Sequence, residues 1–96
     1  MREKQATPRF PLGRVVATPG ALACLAEANQ QPLEFLARHV RGDWGEVPPA
    51  DRRENERSVS RGLRLLSVYQ TNRGVKLWII TEADRSATTI LLPDDY

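Results

Sequence analysis

A chain of 96 residues is long enough for one modest core and too short for two. Its 41% hydrophobic and 27% charged residues place it with soluble globular domains and exclude disordered and fibrous classes, while fourteen basic against twelve acidic residues leave a net charge of +2, which admits nucleic acid without arguing for it. One Cys and one His exclude an internal disulfide and a zinc site, and no apolar run approaches the roughly 18 residues of a membrane span, so the expectation is a cytoplasmic protein with no metal, cofactor or membrane partner.

Residues 1–9 are polar and end in Thr7-Pro8-Arg9, which predicts a flexible tail ahead of a single α+β domain over 10–96. "FPLGRVVA" (10–17) favours a short strand that Pro11 and Gly13 confine to a sheet edge. Thr18 as N-cap and Pro19 at the first helical position then open a helix with Leu22, Leu25 and Ala26 on one face and Asn29 as a left-handed stop. Cys24 within it reads as a buried structural thiol. Pro32 starts a second helix with an apolar stripe of Leu33, Leu36 and Val40, Phe35 beside it, and Gly42 as its C-terminal cap. "PPADRRENERSVSRG" (48–62) spaces its charges at helical neighbours and offers little apolar surface beyond Val59, so a third, solvated helix is expected.

The remaining third changes period. "LRLLSVYQ" (63–70), "VKLWIITE" (75–82) and "ATTILLP" (87–93) read as three antiparallel strands in a meander. Asn72 and Gly74 are expected to supply positive φ in the first hairpin turn, and Asp84 and Ser86 to accept backbone N–H groups in the second. The fold class is therefore α+β: two or three N-terminal helices on a three-stranded antiparallel meander, with room for a short N-terminal edge strand. Along the middle strand Val75, Leu77 and Ile79 share one face, while Lys76, Trp78 and Ile80 share the other. Both faces carry bulk, so helices should cover one side and the N-terminal segment or a second subunit part of the other.

Two loops concentrate side chains able to bind. "TEADRS" (81–86) crowds Glu82, Asp84, Arg85 and Ser86 at one end of the sheet, where they serve either a ligand or only the turn itself. "GDWGE" (42–46) places Trp44 between Asp43 and Glu46 on a glycine-flanked loop, where it either meets a partner or folds back over the sheet. If both loops share a surface, they form a Trp-centred patch that docks on a protein. His39, the single histidine, reads as a surface residue at a helix C-terminus, or with Glu82 and Arg85 as a ribonuclease-like acid/base set. Arg53, Arg57 and Arg61 share a helical face that nucleic acid could use, with Glu54 and Glu56 close by. No P-loop, GxGxxG, GxSxG, HExxH or EF-hand pattern occurs.

"RHVRGDWGEV" (38–47), Asn55-Glu56, "GLRLLSVY" (62–69) and "LWIITEADRSATTILLPDDY" (77–96) together resemble a family of small, largely uncharacterised bacterial proteins carried on plasmids, prophages and integrative elements. The likeness runs from about Leu12 to Tyr96. It implies an accessory role: a small protein that binds a host or element-encoded protein, including a component of a host defence system. It supplies no catalytic residue. A protein partner is the first expectation, nucleic acid or a toxin-type ribonuclease activity on a barnase-like fold the alternative, and a homodimer is compatible with either.

Overall fold

The computed structural model describes residues 7–96. In chain order they form β1 (Arg14–Ala17), α1 (Pro19–Ala28), α2 (Pro32–Val40), α3 (Pro49–Arg61), β2 (Leu65–Gln70), β3 (Lys76–Thr81) and β4 (Ala87–Leu91), with a final 3-10 turn at Pro93–Asp95. Local chemistry sets the helix ends. The Thr18 hydroxyl accepts the Ala21 N–H at 3.1 Å, Pro19 occupies a position whose N–H would have no partner, and Asn29 stops α1 at φ 57°. Gly62, at φ 71°, closes α3.

The class is α+β and β2, β3 and β4 form the expected antiparallel meander, but the sheet does not end there. It has four strands in the order β1-β4-β3-β2, and β1 runs parallel to β4, so the sheet is mixed and the helices follow its first strand. The join depends on Gly13. At φ +66° it lies so close to the backbone of Arg85 and Ser86 that a Cβ would overlap their carbonyl groups. Arg14 N–H donates to Ser86 C=O at 3.0 Å and the Thr88 hydroxyl donates to Leu12 C=O at 2.8 Å, fixing the N-terminal segment across the end of the sheet. Phe10 is not part of the strand; it is buried. Of the tail expected over 1–9, residues 1–6 lie outside the described residues, and Arg9 is held by Val40 C=O and by the Glu56 carboxylate.

α1 and α2 cover one face of the sheet. Ala21, Leu25, Phe35 and Leu36 pack there on Tyr69, Leu77, Ile79 and Ile90. The helices are rotated from the phase expected of them. Leu22 is exposed and Leu33 is 70% exposed, while Ala21, Ala28 and His39 are buried. The reason in α2 is that His39 finds hydroxyl partners on the sheet, so a polar residue occupies the core-facing position. Cys24 is half-buried rather than enclosed.

The two sheet edges differ. β2 is covered: the Asn55 carboxamide accepts the Leu66 N–H and donates to the Leu66 C=O, and Val68 exchanges hydrogen bonds with Trp44 C=O and Glu46 N–H. Asn55 thus stands in for a neighbouring strand, and α3, otherwise solvated as expected, is anchored by it together with Ser58 and Val59. The other edge is β1, only four residues long. In the β2–β3 turn Gly74 has positive φ and Asn72 does not. Asn72 instead bonds to the Ala28 carbonyl and the Gln30 side chain, tying the turn to the end of α1.

Candidate functional site

The "TEADRS" turn is built largely by its own hydrogen bonds. Asp84 Oδ1 accepts the Ser86 N–H at 3.0 Å, and the bonds from Ser86 hold its carboxyl below the usual range. Arg85, at φ 62°, turns its guanidinium inward and donates to the carbonyls of Leu63, Glu82, Ala83 and Ser58. It therefore clamps the C-terminal end of α3, where the helix dipole favours a cation. The Glu82 carboxylate faces Arg64 at 3.7 Å and not Arg85. Glu82 and Arg85 do not pair, and the side chains of the turn mainly serve the turn itself.

The "GDWGE" loop takes the second of its two alternatives and folds back. Trp44 is 1% exposed, stacked on Phe10 at 6.2 Å, and packed with Val47 and Leu65. Its indole N–H donates to Glu56 at 3.0 Å, and Arg9 holds the same carboxylate, so Glu56 stays ionised well below its ordinary range. Gly45 makes this geometry: at φ +75° it sits against the Val68 carbonyl, where a Cβ would have no room. Asp43 is paired with Arg38 at 2.7 Å, which lowers its carboxyl, and its carbonyl accepts the Tyr69 hydroxyl. Burial pushes that phenol up to about 12. Glu46 reaches Gln70. The two loops do approach one another, because Arg85 lies over the Phe10 ring and Phe10 stacks on Trp44, but they meet in the interior. The Trp-centred surface patch does not exist.

His39 is fully buried, contrary to the expected surface position. Its Nδ1 lies 2.6 Å from Ser67 Oγ and its Nε2 2.8 Å from Thr81 Oγ1, which in turn lies 2.8 Å from Thr88 Oγ1. The chain of hydroxyls fixes the tautomer. Leu12 C=O only accepts, so Thr88 donates to it; Thr81 must then donate to Thr88, His39 Nε2–H to Thr81, and Ser67 to the bare Nδ1. Burial, with the nearby Arg85 charge, lowers the imidazole to about 4, so it is neutral at physiological pH. Both ring nitrogens are committed and none reaches solvent, so the acid/base set of His39, Glu82 and Arg85 is not assembled.

The face of the sheet away from α1 and α2 is different. Leu66 and Val68 of β2, Trp78 and Ile80 of β3 and Thr89 of β4 lie on it by register, and no helix packs across it. Its cover is the flank of α3 and the C-terminal Tyr96, whose ring meets Trp78 at 5.8 Å and 60° while remaining 70% exposed. Between them is an open groove of about 330 Å³ lined by Leu66, Trp78 and Ile80 of the sheet, Asp51, Glu54 and Asn55 of α3, and Arg64 and Tyr96. Among the described residues no buried side-chain nitrogen lacks a partner and Trp78 Nε1 makes no hydrogen bond, so its indole N–H is not sealed from solvent by them. The sequence placed Trp78 and Ile80 together on the second face, but Asp51, Arg64 and Tyr96 come from distant segments and carried no signal of their own. Among the described residues no cluster of three or more His, Cys, Asp or Glu is arranged to hold a metal, and no helix is long and apolar enough to cross a membrane. Neither a family model, nor a curated protein, nor a solved structure matches the chain.

Proposed function

We propose that the protein is a small binding module that docks a segment of another protein on the open face of its sheet. The observation that carries this reading is the groove: Trp78 and Tyr96 present aromatic surface beside apolar side chains of the sheet, while every other large aromatic ring among the described residues is inside. Aromatic side chains at such a place supply contact area with little loss of rotamer freedom, and they dominate protein interfaces. Catalysis by His39 is disfavoured, since substrate could reach it only by opening the core. Nucleic acid is disfavoured because Asp51 and Glu54 line the one groove with exposed rings, and Arg57 on the outer side of α3 is already paired with Glu54 at 2.7 Å. The resemblance to proteins of plasmids and prophages adds that the partner is a host or element-encoded protein, such as part of a defence system.

Affinity capture from a bacterial lysate, run with the natural protein and with Trp78→Ala/Tyr96→Ala, tests the reading. A discrete partner recovered by the first and lost by the second, with a cooperative unfolding transition kept by both, is expected. Equal recovery by both contradicts it. Sedimentation as a dimer that the double substitution dissolves would assign the face to a second copy instead.

A further inference from the structure

The lining charges of the groove are not balanced. Glu54 is held by Arg57, and Arg64 leans toward Glu82 at 3.7 Å with its guanidinium 5.6 Å from the centre of the Tyr96 ring. Asp51 is left, exposed in the lining of the groove with no ion-pair partner among the described residues. It lies in the first turn of α3 and already answers the positive end of that helix, so the helix end offers little to an anion.

From this juxtaposition we infer that the groove takes a cationic side chain, arginine or lysine, from an extended and otherwise apolar segment of the partner. The inference rests on the docking face proposed above and names what that face selects. An apolar segment laid over the groove would cover Asp51 without pairing it, and covering an unpaired charge is strongly unfavourable. An acidic segment or a phosphate would meet the unpaired Asp51, and the one lining cation, Arg64, already leans toward Glu82. A cation meets Asp51 and the aromatic surface of Trp78, beside the Tyr96 ring that Arg64 already approaches. The chain uses the same contact for its own guanidinium groups: Arg38 lies 4.4 Å from the Tyr69 ring centre and Arg64 stacks on Tyr96. The groove is thus an acidic, aromatic site on a protein of net charge +2, so attraction is local to it.

The test uses three acetylated, amidated tripeptides, Leu-Arg-Leu, Leu-Gln-Leu and Leu-Glu-Leu, titrated into the full chain while the two indole N–H resonances are followed. The arginine peptide is expected to move the Trp78 resonance and leave that of Trp44 in place, with half-saturation about three- to tenfold below that of the glutamine peptide. The glutamate peptide should bind most weakly. Asp51→Asn, an exposed change that leaves the core untouched, should erase the advantage of arginine over glutamine. If the glutamine or glutamate peptide moves Trp78 at equal or lower concentration, the face docks but its selectivity is not cationic, and the inference alone falls. If no peptide moves Trp78, the inference is overturned, and loss of the captured partner in Trp78→Ala/Tyr96→Ala separately decides whether the docking face stands.

Discussion

The two tryptophans occupy opposite sides of one sheet's economy. Trp44 sits on a glycine-flanked loop of charged residues and is enclosed; Trp78 sits in the middle of an apolar strand and borders solvent. The difference lies in what each indole N–H finds. Trp44 has Glu56, delivered by α3 and neutralised by Arg9, so it can leave water at no loss of a hydrogen bond. Trp78 has no such partner among the described residues, and its ring lies on the open face. Loop and strand are therefore poor guides to exposure, and the supply of partners for polar atoms is a better one.

The sharpest contrast should be in stability. Trp44→Ala removes a large, fully buried ring and leaves Glu56 and Phe10 facing a void, and a loss of about 3–5 kcal/mol is expected in urea unfolding. A loss below about 1 kcal/mol, within the range of ordinary surface substitutions, would mean that the helix-covered side is not closed.

His39 tests the same side through pH. Its folded pKa of about 4 lies below the 6.5 of the free side chain, so the unfolded chain takes up the proton first. Stability from this residue is whole above pH ~6.5, declines as pH falls toward ~4, and levels below it, about 3 kcal/mol in all. Asp43 and Glu56, held low by their arginines, lose stability on the acid side of the usual carboxylate range. The slope above that range therefore belongs to His39, and His39→Gln should flatten it.

Two smaller effects probe the covered edge of β2. Gly45→Ala forces a Cβ against the Val68 carbonyl at positive φ, which should lower stability by about 2 kcal/mol. Asn55→Ala uncovers both backbone groups of Leu66 and should lose about 1–2 kcal/mol and speed amide exchange at Leu66. Trp78→Ala should lose about 1–2 kcal/mol, well short of Trp44→Ala, since its ring is only partly covered and leaves no closed cavity.

Local signals carried the elements well. Thr18-Pro19, Asn29, Pro32 and Gly62 mark helix ends, α2 is capped at Arg41 one residue before the expected Gly42, and the period-two runs give β2, β3 and β4 to within two residues, because caps and strands are chosen by neighbours in sequence. The pairing of β1 with β4 was not legible, since Gly13 and Arg14 meet Ser86 only through the folded backbone. The helix phases failed for a related reason: hydrophobic spacing cannot know that Ser67 and Thr81 wait to receive His39. Arg85 misled in the same way, as its partners are carbonyls that no sequence pattern displays. The candidate site was half visible, in that Trp78 and Ile80 fall on the less covered face by alternation alone, whereas Asp51 and Tyr96 reach it through tertiary structure.

Hydrogen exchange of the two indole N–H groups reads the contrast directly. Trp44, bonded to Glu56 inside the packed side, should exchange only as fast as the molecule unfolds, while Trp78 should exchange within the dead time of transfer to heavy water. Comparable protection of both, or a protected Trp78 beside a fast Trp44, would contradict the division of the sheet into a sealed face and an available one.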